Sequence, residues 1–111
     1  MENSRKATIM RRLEKYGMTD FQTTVLRETL DIPRGQVRTY KQIASQINNP
    51  RAYRAVGTAL KKNPLPIIIP CHRVIRSGGD LGNYSGSGGA RKKLLLLKKE
   101  NAMHFVEKLK K

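Results

Sequence analysis

Apolar side chains recur at helical spacing in several stretches of the chain, and glycine, proline or asparagine marks the breaks between them. Ile9, Leu13 and Tyr16 form the first stretch, closed by Gly17. Thr19-Asp20-Phe21-Gln22 then has the form of a capping box, with Thr19 as N-cap and Gln22 three residues on. The helix it opens carries Phe21, Val25, Leu26 and Leu30, and Ile32-Pro33-Arg34-Gly35 stops it and turns the chain. Val37 to Thr39 is a short extended piece. A second capping box, Thr39-Tyr40-Lys41-Gln42, opens a helix with Ile43, Ala44 and Ile47, which Asn48-Asn49-Pro50 breaks. Asn49 as N-cap and Pro50 at the first helical position predict another helix from about Arg51 to Lys62, burying Val56, Ala59 and Leu60.

Asn63-Pro64-Leu65-Pro66 ends that helix, and the β-branched run Ile67-Ile68-Ile69 predicts a short buried strand. Val74-Ile75, the turn Ser77-Gly78-Gly79-Asp80 and a return over Leu81 to Tyr84 predict a hairpin. Ser85 to Gly89 reads as a glycine-rich loop. Arg91 to Asn101 is the last strong helix, with a broad apolar face at Leu94 to Leu97. Two short helices joined by a tight turn, followed by a hairpin, have the pattern of a winged helix-turn-helix: a mainly α domain with a short β-hairpin wing. The expected organisation is a basic N-terminal helix or extension over 1–18, the winged-helix domain over 19–101 and a basic C-terminal tail over 102–111.

Charge adds a direction to this outline. The chain has 111 residues, 23 Lys+Arg against 8 Asp+Glu, and a formal net charge of +15. That length suits one domain. No acid lies between Asp31 and Asp80, while that stretch holds Arg34, Arg38, Lys41, Arg51, Arg54, Lys61, Lys62, Arg73 and Arg76. A field of one sign attracts polyanions, nucleic acid above all. The Lys-rich end, Lys108, Lys110 and Lys111, reads equally well as a solubilising surface. No apolar run approaches the roughly 18 residues of a membrane span, so no membrane partner is expected. The opening Met1-Glu-Asn-Ser-Arg-Lys does not read as a secretory leader. One cysteine excludes an intramolecular disulfide, and Cys71, His72 and His104 alone do not make a zinc site. The expected location is intracellular, cytoplasmic or nuclear.

The candidate chemistry centres on Pro70-Cys71-His72-Arg73. Pro70 fixes its own φ and pre-sets the turn that presents Cys71. A lone cysteine is usually a small buried hydrophobe, and the isoleucine run before it fits burial. His72, Arg73 and Arg76 nevertheless surround it with cations, which favour the thiolate. A nucleophile, a base and a third orienting group make the general constellation of covalent catalysis. Glu100 is a candidate for the third place, although spacing alone does not select it.

Ile69-Pro70-Cys71-His72-Arg73-Val74-Ile75 resembles the active-site motif of the O6-alkylguanine-DNA alkyltransferases, which move an alkyl group from guanine O6 in DNA onto a cysteine. Arg51-Ala52-Tyr53-Arg54-Ala55-Val56-Gly57 resembles the recognition helix of that family, Asn63-Pro64-Leu65-Pro66-Ile67 the segment leading into its site, and Gly82-Asn83-Tyr84-Ser85-Gly86 its pocket loop. The resemblance runs in order from about Phe21 to Glu100 and is to the C-terminal domain of the family. No counterpart of the family's N-terminal domain, or of any metal site there, is expected. Two positions depart from the pattern: Tyr53 is bulkier than the small residue often found there, and the loop from Ser85 to Arg91 is about two residues longer.

The resemblance implies a role for each matching residue. Cys71 would accept the alkyl group, His72 would pass the thiol proton through a water towards Glu100, and Asn63 would brace the turn. Tyr40 would donate to the departing guanine. Arg54 would enter the base stack in place of the flipped nucleotide. Arg51, Ala52, Tyr53, Ala55, Gly57 and Thr39 would complete the DNA-binding set. Tyr84, Ser85, Gly86 and Pro66 would line the alkyl pocket. Plainer readings stand beside these: half-buried packing for the tyrosines, a phosphate contact for Arg54, a helix C-cap for Asn63. The implied function is single-turnover repair of O6-alkylguanine in double-stranded DNA by a monomer with no cofactor and no metal. A sensor that binds the lesion without repairing it, and a winged-helix regulator that reads DNA sequence, remain alternatives.

Overall fold

A computed structural model describes residues 2–79, 81 and 89–109 of the chain. The protein is mainly helical, with one small sheet of two strands among the described residues. Helix α1 spans Glu2–Leu13 and α2 spans Asp20–Leu30; β1 is Arg38–Thr39; α3 is Tyr40–Gln46 and α4 is Tyr53–Lys61; β2 is Val74–Ile75; α5 is Gly89–Lys99 and α6 is Met103–Leu109. Tight 3-10 turns occupy Glu14–Tyr16, Pro50–Ala52 and Cys71–Arg73. No described helix is long and apolar enough to cross a membrane.

Both capping boxes form. Thr19 Oγ1 accepts from the Gln22 N–H at 3.1 Å, and Gln22 Oε1 accepts from the Thr19 N–H at 2.9 Å. Thr39 and Gln42 repeat the exchange at 3.0 and 2.8 Å. Such a cap satisfies donors that a helix start leaves unpaired and stabilises by about 1 kcal/mol. The second box also fixes where α3 begins, and so places Tyr40, its first residue.

Two apolar clusters hold these elements. The larger gathers Ile9 and Leu13 of α1, Val25 and Leu26 of α2, Ile43 and Ala44 of α3, and Val56, Ala59 and Leu60 of α4, together with Ile69, Cys71 and Val74. The smaller gathers Val37, Ile75, Leu97, Ala102 and Val106. Val74 and Ile75 are adjacent in β2 and belong to different clusters, as the two-residue period of a strand requires. β2 is thus the partition between the helical body and the α5–α6 layer.

The strand pairing adds a partner that the expected hairpin did not include. β2 pairs in parallel with β1, Arg38 opposite Val74 and Thr39 opposite Ile75. A parallel pair needs a long crossover, and here α3, α4 and the loop after them supply it. Residues 82–84, the expected return strand, lie outside the described residues.

The isoleucine run is not a buried strand. Ile69 is fully buried, but Ile67 is 53% and Ile68 36% exposed, and Ile67 has a φ of 74°. Pro64, Pro66 and Pro70 remove the N–H donors that a ladder would need. The segment turns instead, with the Ile69 N–H donating to Leu65 O at 2.9 Å and the Cys71 N–H donating to Ile69 O at 2.8 Å. The helix expected from Arg51 begins later: Pro50–Ala52 is a 3-10 turn, α4 starts at Tyr53, and the Asn49 side chain makes no capping bond. The last strong helix runs two residues earlier than expected at each end, and only Leu97 of its Leu94 to Leu97 face is fully buried, Leu95 being 55% exposed. Where a basic tail was expected, α6 folds back and buries Val106.

The turn after α2 is built to sit close to the end of α5. Gly35 there has a φ of 90°, and a Cβ on it would lie 3.3 Å from the backbone oxygen of Glu100. Glycine meets both demands, because it tolerates positive φ and has no Cβ.

Candidate active site

Cys71, His72 and Arg73 occupy one 3-10 turn that the chain braces from both sides. Pro70 precedes it with φ −80°, the Arg73 N–H donates to Pro70 O at 2.9 Å, and the Val74 N–H donates to Cys71 O. Upstream, the buried amide of Asn63 bridges the approach loop. Its Nδ2 donates to Ile69 O and its Oδ1 accepts from the Leu65 N–H, each at 3.0 Å. Asn63→Ala leaves a buried carbonyl and a buried N–H without that partner. It should lower stability by roughly 3 kcal/mol, read as a fall in thermal midpoint; an unchanged midpoint would show that the bridge is dispensable.

His72 is fully buried. Its Nε2 lies 3.1 Å from both carboxylate oxygens of Glu100. Arg73 grips the same carboxylate with two parallel bonds, Nε to Oε1 at 2.9 Å and Nη2 to Oε2 at 2.8 Å, while its Nη1 donates to Ile32 O at 2.8 Å. A bidentate guanidinium pair of this kind is among the strongest polar contacts a protein makes. Burial alone would push the Glu100 carboxyl up, but hydrogen bonds from Arg73 and His72 outweigh it and hold the group below the usual carboxylate range.

An ionised Glu100 only accepts, so the proton between it and His72 sits on Nε2 when the imidazole is neutral. That leaves Nδ1 as the ring's lone-pair nitrogen. Nδ1 is buried and accepts no hydrogen bond from the described residues. Burial holds the His72 pKa below its ordinary value; the Glu100 hydrogen bond and charge oppose this, and the charges of Arg73 and Lys93 add to it. At neutral pH His72 is therefore a neutral imidazole with an anion behind it, which is the state of a base waiting for a proton.

A groove of about 610 Å³ is lined by Tyr40, Lys41, Tyr53, Arg54, Gly57, Thr58, Lys61, Arg76 and Ser77, with no acid and none of the three turn residues among them. Arg54 and Ala55 are exposed on α4, and Arg51 is exposed on the turn before it. Ala52, Tyr53 and Gly57 are half-buried. The Lys41 ammonium stands 5.3 Å from the centre of the Tyr53 ring, a cation–π contact between α3 and α4. Thr39 lies apart from this surface: it is buried and its hydroxyl is committed to the Gln42 N–H. Pro66 pairs with Ile69 as an isolated bridge on the approach loop and does not line the groove. Tyr84, Ser85 and Gly86 lie outside the described residues.

Two contributors escape the sequence reading. Arg73 counts there as one more cation near the thiol, whereas it is the clamp on Glu100. Lys93 sits in the basic run Arg91-Lys92-Lys93, yet it is fully buried. Its spacing four residues before Leu97 was the available signal, since i and i+4 share one face of a helix. Among the described residues no group of three or more His, Cys, Asp or Glu side chains is placed to hold a metal ion.

Comparison with known proteins follows the same outline. Residues 20–102 match the family model described as the DNA-binding domain of 6-O-methylguanine DNA methyltransferase. A methylated-DNA–protein-cysteine methyltransferase of Methanosarcina barkeri is 52% identical over 83 residues, covering 75% of this chain and 52% of that protein. The Mycobacterium tuberculosis OGT in complex with DNA superposes with a TM-score of 0.72 at 48% identity, over 77% of this chain and 52% of that one. Schizosaccharomyces pombe Atl1, in complex with damaged DNA containing O6-carboxymethylguanine, superposes with a TM-score of 0.65 at 36% identity, over 75% and 77% of the two chains. The chain spans about half the length of the first curated relatives it matches.

Proposed function

The chain belongs to the 6-O-methylguanine DNA methyltransferase family through its DNA-binding domain, and we propose from that premise that it removes an alkyl group from guanine O6 in duplex DNA by transferring it to Cys71. The observation that carries this reading is the arrangement behind the cysteine. A fully buried His72 is tied through Nε2 to a clamped Glu100, its buried Nδ1 has no hydrogen-bond partner among the described residues, and it directly follows the only cysteine of the chain.

In this reading His72 Nδ1 takes the Cys71 proton through a water, and Glu100 stabilises the imidazolium that results. The thiolate attacks the alkyl carbon in line with the C–O6 bond. The S–C bond forms as the C–O bond breaks, and the electron pair passes to guanine. Tyr40 donates a proton to the departing base, which leaves as neutral guanine; His72 then releases the proton it took from the thiol to solvent, and the Tyr40 oxygen recovers one from solvent, so no net proton is consumed. The product thioether has no leaving group that water can displace at neutral pH, so each molecule reacts once. In-line attack is not available inside a base stack, so the guanine must be extruded, at a cost of a few kcal/mol. Arg54, exposed on α4 and lining the groove, would fill the gap.

Free O6-benzylguanine tests the chemistry without DNA. Incubation should add one benzyl group per molecule, located on the peptide that contains Cys71 by mass spectrometry. Selective binding of a lesion-bearing duplex with no label on Cys71 would replace transfer by recognition.

A further inference from the structure

We propose that the outer flank of α1 is a second binding surface for duplex DNA, which holds a segment separate from the one served by the groove at Arg54. The inference rests on the DNA-binding part of the functional reading above and does not depend on transfer to Cys71.

α1 lies outside the stretch that matches the family model, which begins at residue 20. It is docked all the same. Ile9 and Leu13, four residues apart, are buried in the larger apolar cluster, and Lys6 Nζ holds the two carboxylate oxygens of Asp31 at 2.8 and 2.9 Å. That anchoring fixes the outer flank. Arg5, Thr8 and Arg12 follow at steps of three and four residues and so form one stripe along the helix, with Ser4 and Arg11 beside it and Lys15 on the turn beyond. All of these side chains are exposed. Arg5, Arg11 and Arg12 make no ion pair with the described residues. Asp31 is neutralised by Lys6, and Glu14 stands two positions from Arg12, a spacing that does not share a face. Arg34, exposed on the turn after α2, lines one groove with Arg5 and Lys6 and widens the basic patch.

Folding uses the inner face of α1 and has no need of this flank. A surface tuned only for solubility intersperses both signs, whereas here one sign stands alone. Such a field fits a polyanion. Arginine with small hydroxyl side chains is the set that contacts sugar and phosphate, and from Arg5 to Arg12 the helix rises about 10 Å, about three phosphates along one strand. α1 exposes no large apolar side chain, so the flank lacks the apolar centre of a protein interface. The surface is also distinct from the groove at Arg54. The α1 groove and the Arg54 groove share no lining residue. α1 through Ile9 and Leu13, and α4 through Val56, Ala59 and Leu60, turn their apolar faces to the same cluster, so their exposed faces look out from different sides of the body. One molecule thereby holds two segments at once.

A two-duplex capture assay tests this. A duplex fixed to beads is loaded with the protein and then offered a second, fluorescent duplex. The parent should retain the second duplex, and the variant Arg5→Ala/Arg11→Ala/Arg12→Ala should retain about tenfold less or lower still. Alanine is the best helix former, so α1 should persist, which circular dichroism checks. The log–log salt slope of capture should be steeper in the parent by roughly two to three units, since each phosphate contact contributes about 0.9. A charge-matched variant, Lys98→Ala/Lys99→Ala/Lys108→Ala, removes exposed cations elsewhere and should capture as the parent does. Equal capture by the α1 variant and the parent, or an equal loss in the charge-matched variant, would overturn the proposal. So would poly-glutamate that strips the fluorescent duplex as well as unlabelled duplex of the same charge, because the flank would then answer to acidic polypeptide. Benzyl labelling from the free base is read separately: its failure in the parent would sink transfer to Cys71 and leave the capture result standing.

Discussion

Cys71→Ser should abolish alkyl transfer and leave the protein folded and bound to DNA. Cys71 is 4% exposed and packs in the larger apolar cluster. Serine fits the same space, and its hydroxyl adds a burial penalty of about 1–3 kcal/mol, which a domain of this size tolerates. The chemistry does not survive so easily. A thiol has a few per cent of thiolate at neutral pH and sulfur is intrinsically nucleophilic, whereas a serine hydroxyl is far less acidic, holds almost no alkoxide there, and its oxygen is the weaker nucleophile towards a saturated alkyl carbon. The expected loss is on the order of 10⁴-fold or more. Intact-mass measurement after incubation with O6-benzylguanine should show no adduct, while fluorescence anisotropy with a lesion-bearing duplex shows parental affinity. An adduct that still forms stoichiometrically would place the acceptor elsewhere.

Arg54→Ala should divide the substrates. With duplex DNA at saturation, transfer should slow about a hundredfold, which corresponds to losing a few kcal/mol of help in extruding the base. With the free benzylguanine base, which has no stack to leave, the rate should be parental. Arg54 lines the groove from the exposed face of α4 and is not part of either apolar cluster, so the fold should not suffer. Were Arg54 only a phosphate contact, the variant would bind all DNA more weakly and recover fully at saturation, with a salt slope reduced by about one unit. Single-turnover rates at several DNA concentrations distinguish the two. A matching loss with the free base would remove both roles and point to a damaged pocket.

The elements governed by neighbours in sequence were readable in the sequence. Thr19 with Gln22 and Thr39 with Gln42 lie three residues apart, and such caps need nothing beyond one turn of helix. The apolar faces of α2, α3 and α4 followed from the same local period. The Ile67-Ile68-Ile69 run misled because its β-branched composition competes with three flanking prolines, and the missing donors prevailed. The parallel pairing of β1 with β2 was not legible from two residues on each strand, since nothing local states which edge meets which. In the site, the relation of Cys71 to His72 was given by adjacency. Glu100 was one candidate from the residues alone and was selected by the family resemblance; the burial of Lys93 left only the weak signal of its spacing from Leu97, and the clamp of Arg73 was out of reach because it depends on contacts across the fold.

That dependence on distant contacts sets an order of events when the chain folds. Arg73 reaches Ile32 across 41 residues, His72 and Arg73 reach Glu100 across 28 and 27, and Lys93 reaches Tyr40 across 53. Helices closed by local caps form early, while links of this span must wait for their loops to be drawn in. The reactive turn is therefore expected to assemble after the locally capped helices, which pulsed hydrogen exchange during refolding would show as later protection of the 71–75 amides than of the α2 and α3 amides. An unfolding fluctuation that frees the end of α5 from the turn after α2 would disarm the protein while most of its secondary structure persists.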